Sequence, residues 1–314
     1  MQYSDLREIR ERWNRLLPYT LLNGKKVRGL TTIMTYKMME KSDNLTRENI
    51  KRVNILGWCI EMMQSCLLII DDIVDNSEFR RKAPCWYKQE GVGNLAIFDA
   101  SILDGFSHVL LKKYFSSHPY YLQMVDLFRT TPLIINMGQI LDSTSVELEK
   151  HTMERYINIA RYKTGFDKFW CPVTLGLYFS KTFNKELHKQ ITPTLLEMGI
   201  YSQMQNDYDD CFGDPDVTGK YGTDIQEGKC TWLSARVLQE ATPSQRKIMK
   251  EHFGKPNEES VDAVKMLYKE LKIPESLEIY EAQSYAKICE DISHISNESL
   301  QNVLHILANK LYNR

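Results

Sequence analysis

Apolar positions recur at helical spacing along almost the whole chain. Leu56, Ile60, Met63, Leu67 and Ile70 step by four, three, four and three residues, which lines one face of a helix. Thr46 stands ahead of this run as its N-cap. Similar periodicity predicts helices over residues 25–40, 96–115, 121–139, 153–161, 166–180, 187–211, 231–240, 245–253, 261–271, 276–292 and 298–311. No stretch sustains period-two alternation, and no Asn-Gly or Asp-Gly pair joins two β-branched runs. Leu22-Asn23-Gly24 leads into Lys25-Lys26, which suits the start of a helix better than a hairpin. Neither a solenoid repeat nor a low-complexity linker interrupts the pattern. The expectation is all-α, a single domain of many helices around a common core.

Composition excludes several functions. The 314 residues carry 40 Lys+Arg against 41 Asp+Glu, a net charge of −1. General nucleic-acid binding needs a basic face, and this balance argues against it. A hydrophobic content of 43%, with only 15 Gly and 10 Pro, is that of a globular chain, not a disordered or collagen-like one. Uncharged stretches such as residues 130–141 fall short of the ~20 apolar residues of a membrane helix, so no membrane span is expected. Charge begins at Asp5, Arg7 and Glu8, so no signal peptide is read and a cytoplasmic location is expected. Seven scattered cysteines form no CxxC pair, which leaves buried free thiols as their reading.

Two acidic clusters end apolar helices. In Asp71-Asp72-Ile73-Val74-Asp75, Asp71 and Asp75 are i and i+4, so their carboxylates share a face roughly 5–6 Å apart. Like charges there oppose the helix dipole unless a cation joins them, and Mg²⁺ takes a few carboxylates with phosphate oxygens completing its shell. In the second cluster Asn206, Asp210 and Asp214 recur at i, i+4 and i+8 beside Asp207. An EF-hand counted from Asp207 fails, because Gly213 is seventh and Thr218 occupies the glutamate position. Arg80, Arg81, Lys163, Lys220, Lys229, Lys25 and Arg28 could together supply donors for a diphosphate. No Walker loop or GxGxxG supports a nucleotide.

These residues resemble a known family. Gly24-Lys25-Lys26-Val27-Arg28-Gly29, the Asp71 cluster with Arg80-Arg81, Lys163-Thr164-Gly165-Phe166, and Gln205-Asn206-Asp207-Tyr208 with Gly222-Thr223-Asp224-Ile225-Gln226 are similar, in order and spacing, to trans-isoprenyl diphosphate synthases. The likeness is to the farnesyl diphosphate synthase branch and covers almost the whole chain. It implies an isoprenoid-synthase helical bundle around a deep apolar cavity, with two acidic motifs facing each other at its mouth. It further implies three Mg²⁺ ions, a prenyl diphosphate substrate and a homodimer. By the same resemblance Asp71, Asp72 and Asp75, with Asn206, Asp207 and Asp210, hold the metal. Arg80, Lys163, Lys220 and Lys229 grip the allylic diphosphate. Lys25, Arg28, Gln64 and Arg81 form the pocket for isopentenyl diphosphate, and Thr164 and Gln203 flank the reacting carbons. The motif at Lys25 comes early, so the family's first helix is expected to be missing or truncated.

Departures from the family pattern set the expected reaction. Cys66 and Leu67 stand where two aromatic residues usually floor the chain pocket. Ser202 replaces an aromatic residue, Asp167 a tyrosine, and Asn206 the first aspartate of the second motif. The basic tail is reduced to Tyr312-Asn313-Arg314. These changes point to a terpene synthase of insect type, a lyase that ionises farnesyl diphosphate and releases a hydrocarbon or alcohol. The alternative is a prenyltransferase that condenses isopentenyl diphosphate with an allylic diphosphate. A non-catalytic partner subunit is disfavoured, because the aspartates are retained.

Overall fold

The computed structural model describes residues 6–218 and 222–312. Helices α1 (Arg7–Leu21), α2 (Val27–Met39), α3 (Arg47–Val74), α4 (Ala96–Phe115) and α5 (Tyr121–Ser143) open the bundle. Next come α6 (Met153–Ala160), a π-helical segment (Arg161–Trp170) and α7 (Cys171–Phe179), which run on without a break. The remainder is α8 (Lys185–Phe212), the short α9 (Pro215–Thr218) and α10 (Asp224–Glu227), then α11 (Trp232–Glu240), α12 (Pro243–His252), α13 (Glu258–Glu270), α14 (Ile273–Ser293) and α15 (Glu298–Tyr312). The all-α expectation holds.

Helix α3 is the organising element. Thr46 caps it, accepting from Asn49 N at 3.2 Å, as its position predicts. Leu56, Ile60 and Met63 are buried, whereas Leu67 is half-buried and Ile70 39% exposed. The apolar stripe therefore starts in the core and ends in a cavity of about 240 Å³ between α3, α4 and α5. By length and composition α3 and the stretch Gly93–Phe115 could each cross a bilayer, which corrects the reading from uncharged stretches. Here α3 is a core helix, packed between α2 and α4.

Two features are absent from the predicted elements. Helix α1 carries an apolar stripe of Ile9, Trp13, Leu16, Leu17 and Leu21, of which Leu16 and Leu21 are buried. It is fastened by Arg12, whose fork meets Asp99 at 2.7 and 2.6 Å, while Trp86 Nε1 donates to the same carboxylate at 2.8 Å. The second is a small hairpin pairing Phe79–Arg80 with Ala83–Pro84. Its turn places Arg81 and Lys82 at φ +56° and +66°, where glycine or asparagine is usual. Arg81 is held there by Thr20 O at 3.0 Å and Asn23 O at 2.5 Å.

Two inward histidines give the bundle an acid limit. His118 donates from Nε2 to Phe179 O (3.2 Å) and accepts Tyr120 N at Nδ1 (3.2 Å), which only the neutral ring can do. Burial pushes both His118 and His188 down to about 4. The unfolded chain then binds more protons between about 6.5 and 4, so stability is full above this window and falls with pH inside it. Urea midpoints should drop from pH 7 to pH 5, the unfolding free energy falling by at most about 1.4 kcal/mol per pH unit for each ring. A flat midpoint would show that these rings do not govern acid stability.

Candidate active site

The C-terminal turn of α3 presents Asp71, Asp72 and Asp75 to a ring of bases. The hairpin aims Arg80 at the first two: Nε donates to Asp72 Oδ1 at 2.5 Å and Nη2 to Asp71 Oδ2 at 3.3 Å. Lys163, on the π segment, donates to Asp142 Oδ2 at 2.7 Å and lies 3.4 Å from Asp71 Oδ1. Lys229 pairs with Asp75 and, at 3.2 Å, with Glu227. Burial alone would raise the Asp71 carboxyl, but Lys163, then Arg80 and Lys229, hold it below the usual range. At Asp72 and Asp75 burial wins and the carboxyls sit above it. Burial opposes the charge of Lys163 and Lys229, yet their carboxylate partners lift both ammonium groups.

The second acidic cluster, at the end of α8, is used differently. Asp207 is 3% exposed and both its oxygens are taken: Oδ2 by Trp232 N at 3.0 Å, Oδ1 by Gln203 Nε2 at 2.8 Å. Burial pushes its carboxyl up against these bonds. Gln203 Oε1 in turn accepts Thr164 Oγ1 at 2.6 Å. A continuous chain, Thr164–Gln203–Asp207–Trp232 N, thus ties the π segment to α8 and to the start of α11. Asp210 Oδ1 accepts Asp224 N at 3.0 Å, and Asn206 is exposed.

The isopentenyl-pocket candidates meet around α2. Arg81 turns toward the α1–α2 loop, where Gly24 (φ +98°) leaves room that a Cβ would fill, 2.6 Å from the guanidinium. Arg28 is paired with Asp167. Gln64 is 7% exposed with Oε1 unpartnered, and Lys25 is exposed with no ion pair among the described residues. Ser202, 2% exposed, accepts Lys168 Nζ. Cys66 and Leu67 line the 240 Å³ cavity one to two turns below Asp71. Lys220, Asn313 and Arg314 lie outside the described residues.

Sequence reasoning missed Asp142 and Glu61. Asp142, 7% exposed at the end of α5, is the nearest anion to Lys163. Glu61, 5% exposed, accepts Gly29 N at 2.9 Å. Its signal was legible: one charge inside the otherwise uncharged run 55–70. Asp142 gave no such signal, because its partner lies 21 residues away on another helix.

The donor set fits a hard divalent cation. Asp71 Oδ1 is buried and accepts no hydrogen bond. Among the described residues no three His, Cys, Asp or Glu side chains converge as a metal cage, and Arg80, Lys163 and Lys229 stand against the acids. Acids and bases so arranged neutralise each other.

An all-α bundle with bases and carboxylates interleaved at the ends of two long helices defines an enzyme of the isoprenyl diphosphate synthase class. Residues 10–271 match the polyprenyl synthetase family, and the chain belongs to it. It is 40% identical over 303 residues to the farnesyl pyrophosphate synthase of Nezara viridula, covering 96% of this chain and 75% of that one. It is 40% identical over 308 residues to that of Gallus gallus, covering 96% and 84%. Among solved structures, T. brucei farnesyl diphosphate synthase complexed with the bisphosphonate BPH-722 superposes with a TM-score of 0.91 at 29% identity, over 100% of this chain and 92% of that one. Enzymes of this family are generally magnesium-dependent.

These likenesses overturn the expectation of a terpene synthase and of a lyase. The relatives are prenyltransferases over nearly the full length of the chain. The departures are single side chains: Cys66 and Leu67 line the cavity, Asp167 and Ser202 are buried against Arg28 and Lys168, and Asn206 is exposed. They reshape a cavity and alter a charge, which does not of itself change the reaction class.

Proposed function

We propose that this enzyme joins isopentenyl diphosphate to an allylic diphosphate, with a farnesyl-length chain as the product its relatives' name suggests. The observation that carries this is a pair of adjacent cationic sites. One is Arg80, Lys163 and Lys229 over the α3 aspartates. The other is Lys25, Lys26, Arg28 and Arg81 at the start of α2. Two diphosphates require two such sites, whereas an enzyme that only ionises one substrate requires one.

In this reading Arg80, Lys163 and Lys229 neutralise the charge that grows on the departing diphosphate. Asp71, Asp75, Asn206 and Asp210 would hold the metal, as three Mg²⁺ ions by family likeness, which supplies Lewis-acid stabilisation of that diphosphate. The cavity below Asp71, walled by Met63, Cys66, Leu67, Ile70, Phe128 and Pro132 with Asp104, Arg129 and Asn136 beside them, would take the prenyl chain. Thr164 and Gln203, fixed against each other, stand beside the reacting carbons with their dipoles restrained by Asp207. Exposed Ile97, Phe98 and Val109 on α4, with Leu133, Met137 and Ile140 on α5, favour a homodimer through that face.

The test is incubation with Mg²⁺, geranyl diphosphate and labelled isopentenyl diphosphate, on material that elutes as a dimer. Label should enter a longer prenyl diphosphate, and omission of Mg²⁺ should stop it. Failure of the label to enter any product would refute prenyl transfer.

A further inference from the structure

In the cationic cluster at α2, one member is already answered from inside the protein. Arg28 donates from Nε to Asp167 Oδ2 at 2.7 Å, and its Nη2 reaches the same oxygen. Asp167 is 2% exposed, and its second oxygen, Oδ1, accepts no hydrogen bond. The two residues lie 139 positions apart, on α2 and on the π segment. Around them the charge is otherwise in excess. Burial and then Arg81 lower the Lys26 ammonium; burial and then Arg80 lower the Arg81 guanidinium, with Arg28 adding to the effect. Glu61 beneath the cluster offsets part of this, facing Lys26, Arg28 and Arg81.

We propose that Asp167 is a specificity-determining residue, which holds Arg28 away from the second diphosphate and so sets how tightly that substrate binds. The inference rests on the prenyl-transfer reading, with isopentenyl diphosphate at this cluster. An incoming diphosphate must either draw Arg28 off Asp167 or share it. Drawing it off leaves a buried carboxylate without its partner, which is unfavourable in a low-dielectric site. Sharing it brings two anions onto one guanidinium. A carboxylate also accepts only, so Asp167 can give nothing back to a phosphate oxygen. The remaining bases, Lys25, Lys26 and Arg81, then carry the binding. An amide of the same volume would free the guanidinium fork for bidentate phosphate recognition and add a donor.

Steady-state kinetics with both substrates varied, on the full chain and on Asp167→Asn and Asp167→Glu, test this. Asp167→Asn should lower KM for isopentenyl diphosphate about ten-fold, the order of one charge-assisted hydrogen bond regained. KM for the allylic substrate should stay within about two-fold, a split that a merely structural role would not produce. Asp167→Glu keeps the charge and should keep the high KM. If the asparagine variant does not fold, Asp167→Ser removes the same charge and carries the test. An unchanged isopentenyl KM in Asp167→Asn, with that of Arg28→Ala raised, overturns the inference and leaves prenyl transfer standing. No use of isopentenyl diphosphate by the parent or any variant overturns the reading beneath it.

Discussion

Asp71→Asn should lower turnover by at least two to three orders of magnitude while leaving the fold intact. The carboxylate stands at the meeting point of Lys163 and Arg80, at 3.4 and 3.3 Å, with a buried oxygen that accepts no hydrogen bond. It is the one acid in the cluster touched by both bases, so removing its charge disturbs the balance on both sides of the departing diphosphate. Losing one preorganised electrostatic partner of a transition state typically costs about 3–4 kcal/mol, which is the stated loss in rate. The fold should survive because neither base is stranded. Lys163 keeps Asp142 at 2.7 Å and Arg80 keeps Asp72 at 2.5 Å. Turnover against Mg²⁺ concentration, with a melting curve beside it, makes the comparison. Normal turnover at all Mg²⁺ concentrations would remove Asp71 from the site.

Gly199→Ala should be the most disruptive single methyl in the bundle's site-bearing crossing. A Cβ at Gly199 would fall 2.2 Å from Gly165 Cα and 3.0 Å from its N, both backbone atoms that cannot rotate away. Helix α8 and the π segment cross there glycine on glycine. One turn on from the crossing, Gln203 receives the Thr164 hydroxyl at 2.6 Å. Pushing the elements apart should cost about 2–3 kcal/mol and lower Tm by roughly 5 °C. It should also reduce turnover, since Thr164 and Gln203 separate. Gly105→Ala is the control: nothing lies within 4 Å of its Cβ position, and alanine favours the helix by about 1 kcal/mol. Equal melting temperatures for the Gly199 variant and the parent would mean the crossing is loose.

The helices were legible because their signal is local. The periodicity over 96–115 matches α4 residue for residue, and the Thr46 cap forms as its position predicts. The unpredicted stretch 162–165 lies within the π segment, where a wider turn breaks the 3.6-residue spacing that a helix pattern relies on. Helix α1 was legible but not read, since Ile9, Trp13, Leu16, Leu17 and Leu21 stand at helical spacing; its salt bridge to Asp99, 87 residues away, was not legible. The hairpin at Arg80 has no Gly or Asn at its turn, so turn chemistry could not announce it. The candidate site was legible as a set of charges but not as a set of pairs. Reading Asp167 and Ser202 singly suggested a changed reaction. In place, Asp167 answers Arg28 and Ser202 accepts Lys168, which are local exchanges of partner.

The amino-acid order by itself determined the helical class, the two long helices that end in acids, and the supply of bases between them. These follow from spacing along one chain, where side chains a few residues apart must share a face. Only the tertiary structure decided which base meets which acid. Lys163 stands between Asp71 and Asp142, Lys229 meets Asp75, and Arg28 meets Asp167. It also decided that Asp207 spends both oxygens on Gln203 and Trp232 N. Partners 139 or 154 positions apart, as in Arg28–Asp167 and Lys229–Asp75, are brought together by backbone packing. Glycine contacts such as Gly199 on Gly165 set that packing, and no local pattern of charge encodes it.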